Sequence, residues 1–411
     1  MASTILHLPT RRQLLVTGGA LFAWSYLPRF ARAADARDPR FITIILRGAL
    51  DGLGAVPPVG DPSYAGLHGP IAMSLTGDTP ALPLDGFFAL HPSMTNLARL
   101  YGARQATIVH ATATAYRDRS HFDGQDVLES GYAGAGRTDS GWLNRTVSVL
   151  PKGERVAARG NTRGPALGVG PSTPLILRGG APVTGWTPST LPAVQDDLEQ
   201  RLLTLYRQQD KALATVLTES LDIEKIAQRE AAGMRPAGGN LIEAMRTPAR
   251  GAAKLLAADD GPRIAALAFD GWDTHANEGG ATGRLAQLLA GLDAAIAEFE
   301  TGLGPAWKDT VLVAITEFGR TAKVNGTTGT DHGTGTVAFL AGGALAGGKM
   351  VADWPGLRDD QLFERRDLKA TTDLRAVLKG LLVDHLNIGA AQIEAVFPDS
   401  TGAKPLRGLI A

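Results

Sequence analysis

The sequence predicts an α/β fold in which a mostly parallel central sheet is flanked by helices. Three observations predict it. Five short runs rich in apolar and β-branched residues recur along the chain with glycine nearby. Residues 284–299 (RLAQLLAGLDAAIAEF) place leucine and alanine at helical spacing between two of those runs, as a crossover helix would. Three of the runs also lead directly into a carboxylate, and the ligand crevice of an open α/β sheet lies outside the carboxyl ends of its strands.

In chain order the predicted strands are residues 41–46 (FITIIL), 106–111, 263–269, 310–316 (TVLVAIT) and 337–340. The third and fourth bracket the 284–299 helix, which makes a strand–helix–strand unit. Residues 196–231 form a charged amphipathic helical region, and 371–386 a helix opened by Thr372 or Asp373 as its cap. Residues 151–195 are rich in glycine, proline and threonine, so 151–250 reads as an insertion or cap on a single domain spanning 34–411.

Composition narrows the function. The 411 residues are 44% hydrophobic and 20% charged, with 41 basic and 41 acidic side chains, which excludes a disordered chain and a nucleic-acid binder driven by bulk charge. No cysteine is present, so any metal site uses oxygen and nitrogen donors. The amino terminus carries Thr10-Arg11-Arg12, an apolar stretch to Leu27, and Ala31-Arg32-Ala33, the small-x-small pattern that signal peptidase cuts. Residues 1–33 therefore read as a twin-arginine signal, with the export machinery as a partner and the periplasm or the medium as destination. The apolar stretch is interrupted by Gly18, Gly19 and Pro28 and is short for a spanning helix, so no stable membrane anchor is expected. Removing residues 1–33 takes away four arginines and no acid, leaving a net charge of about −4.

The candidate site follows from the strand ends. The first strand runs to Asp51, the third to Asp273-Thr274-His275 and the fourth to Glu317, with Arg320 close behind. In extended Asp273-Thr274-His275 the side chains at i and i+2 share one side, so a carboxylate and an imidazole can grip one ion. Asp331-His332 sits in a glycine-rich loop that can aim both side chains. The competing reading is that strand-end acids cap the following helices and that these histidines are ordinary hydrogen-bonded ones. After the second strand, Arg119-Ser120-His121 offers a hydroxyl nucleophile beside an arginine suited to an anionic ester, or simply a serine that caps a helix.

The segments LRGALDGL (46–53), RSHFDGQDVLESG (119–131), GWLNR (141–145), DTHANEGG (273–280), TEFGRT (316–321), GTDHGTG (329–335), DWPGL (353–357) and TTDLRAVL (371–378) resemble the exported bacterial proteins grouped as domain of unknown function 1501. That family is placed in the alkaline-phosphatase-like, or sulfatase-like, superfamily. The resemblance implies a metal-dependent hydrolase in which Asp51, Asp273, His275, Glu317, Asp331 and His332 hold one or two divalent ions. It implies that Ser120 attacks; Arg119 and Arg320 are then expected to neutralise the ester oxygens, with His121 assisting. The sequence departs from the phosphatase pattern: one residue rather than three separates Asp273 from His275, and Glu317-Phe318 stands where the pattern has Asp-His. One ligand is thus lost, or supplied from elsewhere by His121 or His332. Zinc or manganese suits the histidines best, with magnesium or calcium also compatible. The expected substrate is a small anionic ester of phosphate or sulfate. The alternative is a non-catalytic exported protein that keeps the fold and binds an envelope partner.

Overall fold

The computed structural model describes residues 37–137, 140–150, 166–188, 196–210, 213–214, 217–218, 239–259 and 261–411. The expected signal segment 1–33 lies outside them, as do residues 151–165 and 219–238 of the expected insertion. Among the described residues no helix is long and apolar enough to cross a membrane.

The central sheet has nine strands. They are β1 (Arg40–Arg47), β2 (Ala106–Ala113), β3 (Ala166–Val169), β4 (Val183–Trp186), β5 (Ile264–Asp270), β6 (Thr310–Ile315), β7 (Thr336–Ala341), β8 (Lys349–Val351) and β9 (Thr372–Asp373). The order across the sheet is β8-β2-β7-β6-β1-β5-β3-β4, with β9 also paired to β2. β1 is parallel to β5 on one side and β6 on the other. β3 pairs parallel with β5 and β4, and β8 and β9 pair parallel with β2. Only β7 runs against its neighbours, β2 and β6. The predicted α/β class with a mostly parallel sheet is the observed one.

Strand alternation sends side chains to two separate cores. On one face Ile42, Ile44 and Leu46 pack with Leu267, Leu312 and Phe339 beneath α2 (Leu241–Ala257) and α3 (Arg284–Leu303). On the other, Phe41 and Ile45 pack with Val311, Val313 and Leu340 against Trp142 and α4 (Leu374–Leu386). Both faces of β1 are thus covered, which is why FITIIL reads as a continuous apolar run rather than an alternating one. α4 opens as expected, Asp373 accepting from the Arg375 N–H.

The described parts of 151–250 contribute to the sheet and its packing. β3 and β4 extend the central sheet beyond β5, and α2 buries Ala249, Ala252, Leu255 and Leu256 in the core. ALGV and VTGW are four-residue strands in a glycine- and proline-rich stretch, too short for periodicity to reveal.

Candidate metal centre

The sheet's polarity gathers the site. Because β1, β2, β5 and β6 are parallel, their carboxyl ends share one edge, and the residues that follow converge there. β7 runs the other way, so the residues before it lie on that same edge. The β6–β7 connection therefore contributes from both of its ends: Glu317 and Arg320 as the chain leaves β6, Asp331 and His332 as it approaches β7. Paired backbone bonds tie the two arms, with the Gly333 N–H donating to Gly319 and the Thr321 N–H to Asp331. Seven residues separate β2 from α1 (His121–Ser130), which brings His121 in from the third side.

Four side chains meet at the centre. One donor atom each from His121, Asp273 and His332 lies within 4.8 Å of the others. His121 Nε2 is 3.5 Å from Asp273 Oδ2, and His332 Nε2 is 3.3 Å from Asp273 Oδ1. His275 Nε2 is 3.1 Å from Asp273 Oδ1 and 3.0 Å from His332 Nε2. Each imidazole is held by its other nitrogen. His121 Nδ1 is 2.9 Å from Glu317 Oε1, His275 Nδ1 is 3.1 Å from Asp331 Oδ1, and His332 Nδ1 is 2.9 Å from the Arg119 carbonyl.

These residues fit a metal ion. His121 Nε2 is buried without a hydrogen-bond partner, 3.5 Å from Asp273 Oδ2, while His275 and His332 bring their Nε2 atoms to the other oxygen of the same carboxylate. Three imidazoles fixed through Nδ1, with Nε2 turned to a shared carboxylate, form the arrangement in which outer partners set the tautomer of metal-binding histidines. The donor set of nitrogen and carboxylate oxygen suits a divalent ion.

Charge balance around the centre is asymmetric. Burial alone would raise the Asp273 carboxyl, but the Arg320 guanidinium, donating to Oδ1 at 2.6 Å, and then His275 and His121 hold it below the usual range. The hydrogen bond to Glu317 pushes the His121 imidazole up. Burial, reinforced by the nearby His121, pushes His332 down. Glu317 is itself fully buried, and against that burial the bonds from His121, from backbone N–H groups including Gly48, and from Gln125 keep its carboxyl low. It is therefore an anionic anchor beneath His121.

The remaining predicted residues are placed as follows. Asp51 is not brought to the centre: it is buried, accepts from the Leu53 N–H at a helix start, and pairs with His68 at 3.0 Å. Glu317 and Asp331 hold histidines rather than face the shared space. Arg119 turns its guanidinium to Asp367 and Glu364, leaving only its carbonyl at the site. His121, expected to assist chemistry or to supply a ligand, stands beside Asp273 and His332. Ser120 precedes α1, and its side chain caps no backbone N–H.

A polar chain runs inward from the centre that sequence reasoning missed. Arg320 Nε lies 3.2 Å from Thr330 Oγ1, which donates to Glu278 Oε2 at 2.7 Å. Burial and then the charge of Asp51 push the Glu278 carboxyl up to about 8. Glu278 lies within DTHANEGG, so its presence was visible, but His68 sits in an aperiodic stretch that signals nothing.

Several solved structures are similar to this chain. Ps i-CgsB in complex with k-i-k-neocarrahexaose shares 12% identity over 89% of this chain and 77% of its own, at a TM-score of 0.42. The phosphonate monoester hydrolase of Agrobacterium radiobacter shares 14% over 85% and 74%, at 0.34, and a 2-O GAG sulfatase 12% over 86% and 71%, at 0.30. No curated protein sequence matches the chain. The family model described as "Protein of unknown function (DUF1501)" matches residues 38–397, nearly all of the described fold and every residue of the centre. The chain therefore belongs to the DUF1501 family.

Proposed function

We propose that this protein is an exported, metal-dependent hydrolase of a phosphate or sulfate ester. The observation that carries this reading is the convergence of His121, His275 and His332 on Asp273, each imidazole held through its far nitrogen. His121, His332 and Asp273 would hold one divalent ion with His275 in reach, and the bound ion would offset negative charge developing on the ester oxygens. Arg320 fixes the Asp273 carboxylate and adds positive charge beside the ester. Ser120, next to His121 and with a hydroxyl free of any capping bond, is the attacking group. Its oxygen bonds to phosphorus or sulfur as the ester oxygen leaves, and its proton ends on the leaving alcohol. Water then cleaves the ester formed on Ser120.

A second reading keeps the ion as a structural element of an exported protein that binds an envelope partner. It is favoured by Asp51 and Arg119, both held by other side chains rather than turned to the centre.

Elemental analysis of protein purified without chelator, beside His121→Ala/His332→Ala, tests the site. About one equivalent of transition metal in the wild type, lost in the variant, supports it. A panel of aryl phosphates, phosphodiesters and aryl sulfates, with Ser120→Ala as control, then tests the chemistry. Metal without turnover on any ester favours the structural reading, and no metal in either protein overturns both.

A further inference from the structure

We infer that Glu278 is a positioning residue of this centre, setting through Thr330 the direction from which Arg320 meets Asp273; the inference rests on the reading of the centre as a metal site. Arg320 is buried, and its guanidinium is divided between two partners. Nε and Nη2 turn to Thr330, reaching its hydroxyl at 3.2 Å and its carbonyl, while Nη1 donates to Asp273 Oδ1 at 2.6 Å. The group is planar, so holding one edge fixes where the third nitrogen points. Its nitrogens only donate, so Thr330 Oγ1 accepts from Nε and is free to give its single hydrogen elsewhere. That hydrogen goes to Glu278 Oε2 at 2.7 Å, and Thr330 is fully buried, so solvent cannot replace the acid. Oδ1 is also the oxygen that His275 and His332 approach, at 3.1 and 3.3 Å, so the seat of Nη1 decides how that oxygen is presented to an ion.

Glu278 is placed for this task rather than for packing. It is fully buried, and among the described residues the bond from Thr330 is the one hydrogen bond its side chain makes, Oε1 having no partner. Burying a carboxyl costs more than one such bond returns, so stability alone would be better served by an apolar side chain. The backbone grips the residue at both of its polar groups: its N–H donates to the Thr328 carbonyl at 3.0 Å, and its carbonyl accepts from the Leu285 N–H at 3.0 Å. That grip is held under strain. Asn277 before it has φ 49°, and Thr328, a β-branched residue for which the left-handed region is unfavourable, has φ 56°.

The test follows zinc affinity and the Arg320 Nε–H together in the full chain. Zn²⁺ is titrated against a chromophoric chelator into wild type, Glu278→Leu, Glu278→Gln and Thr330→Val. Glu278→Leu and Thr330→Val are each expected to bind Zn²⁺ about tenfold more weakly than wild type. Glu278→Gln keeps an acceptor for the Thr330 hydroxyl and should recover most of that loss. In an Arg320→Ala background Glu278→Leu should add no further loss, because the two act through one chain of bonds. In the metal-free protein the Arg320 Nε–H resonance, assigned by its absence in Arg320→Lys, should resist solvent exchange in wild type and Glu278→Gln and exchange faster in the other two variants. Unchanged zinc affinity in Glu278→Leu and Thr330→Val, even with a lowered Tm, overturns the inference; so does an equal loss in Glu278→Gln, or an added loss in the Arg320→Ala background. If Glu278→Leu does not fold, the isosteric Thr330→Val carries the comparison. Wild type that binds no zinc sinks the metal reading, and the Nε–H signal then decides the positioning by itself, with equal exchange in every variant overturning it.

Discussion

His121 Nδ1 lies 2.9 Å from Glu317 Oε1, and this bond decides which edge of the imidazole faces Asp273. Glu317 is fully buried and also receives the Gly48 N–H at 2.8 Å, so its position is fixed by the end of β1 as well as by β6. Glu317→Gln keeps the shape and removes the charge that orients the ring. Metal affinity is expected to fall about 10–100-fold, the usual cost of losing such an outer partner. Competition with a chromophoric chelator measures it, and unchanged affinity would reduce Glu317 to a packing role.

Gly329 is where the two histidine-bearing loops touch. A Cβ there would stand 2.4 Å from the His275 carbonyl carbon and oxygen and 2.6 Å from the Thr274 oxygen, all backbone atoms that cannot swing aside. Gly329→Ala is expected to push the 273–275 and 329–332 segments apart and separate His275 from His332. Stability should drop by about 1–3 kcal/mol in denaturant titration, with metal affinity falling more than about tenfold. A variant that binds metal normally would show that the two loops need not be in contact.

Arg320 is buried and joins Asp273 to Thr330, donating to the Asp273 carboxylate and to both the hydroxyl and the carbonyl of Thr330. Arg320→Ala leaves those acceptors without their donor, at a cost of about 1–3 kcal/mol in urea unfolding. Arg320→Lys keeps the charge but not the planar fork, so it should recover only part of that loss. Full recovery by lysine would mean that charge alone matters.

The Glu278 carboxyl predicts how stability varies with pH. Its ordinary value is about 4.3 and burial beside Asp51 raises it to about 8, so the folded state favours the neutral acid. An acid raised on folding contributes stability in full below its unfolded value and loses it as pH rises through the folded one. Wild type should therefore weaken between about pH 4 and pH 8 relative to Glu278→Gln, which cannot ionise. Near pH 8.5 the variant should be the more stable by on the order of 1–3 kcal/mol, with the gap closing near pH 4. Equal slopes in paired denaturation curves across that range would refute it.

Much of this architecture was readable because burial on both faces leaves uninterrupted apolar strands. FITIIL and TVLVAIT stand out for that reason, and the acids after them mark one edge of the sheet. The antiparallel course of β7 was not readable, since a strand's direction depends on its partners and not on its own residues. Without it, Asp331-His332 could be named as candidates but not set beside Glu317. The division of labour among the acids was equally hidden. Asp51, Glu317 and Asp331 look like equivalent donors in sequence, and only the pairing of each with His68, His121 and His275 separates them. The strands at 166–169 and 183–186 were lost to their brevity.

The reversal of β7 also has a kinetic side. The arms of the β6–β7 connection are linked by bonds spanning only ten residues, Arg320 to Thr330 and Asp331 to Thr321. The bond that seats His121 on Glu317 closes 196 residues. On chain-closure entropy alone that contact costs about 2–3 kcal/mol more to form than the local ones. The hairpin carrying Arg320 and His332 is thus favoured to assemble early in folding, and α1 to dock His121 onto it late. The cluster of His121, Asp273 and His332 is then completed by one of the last contacts made, so on the proposed reading metal uptake would report a chain that has finished folding.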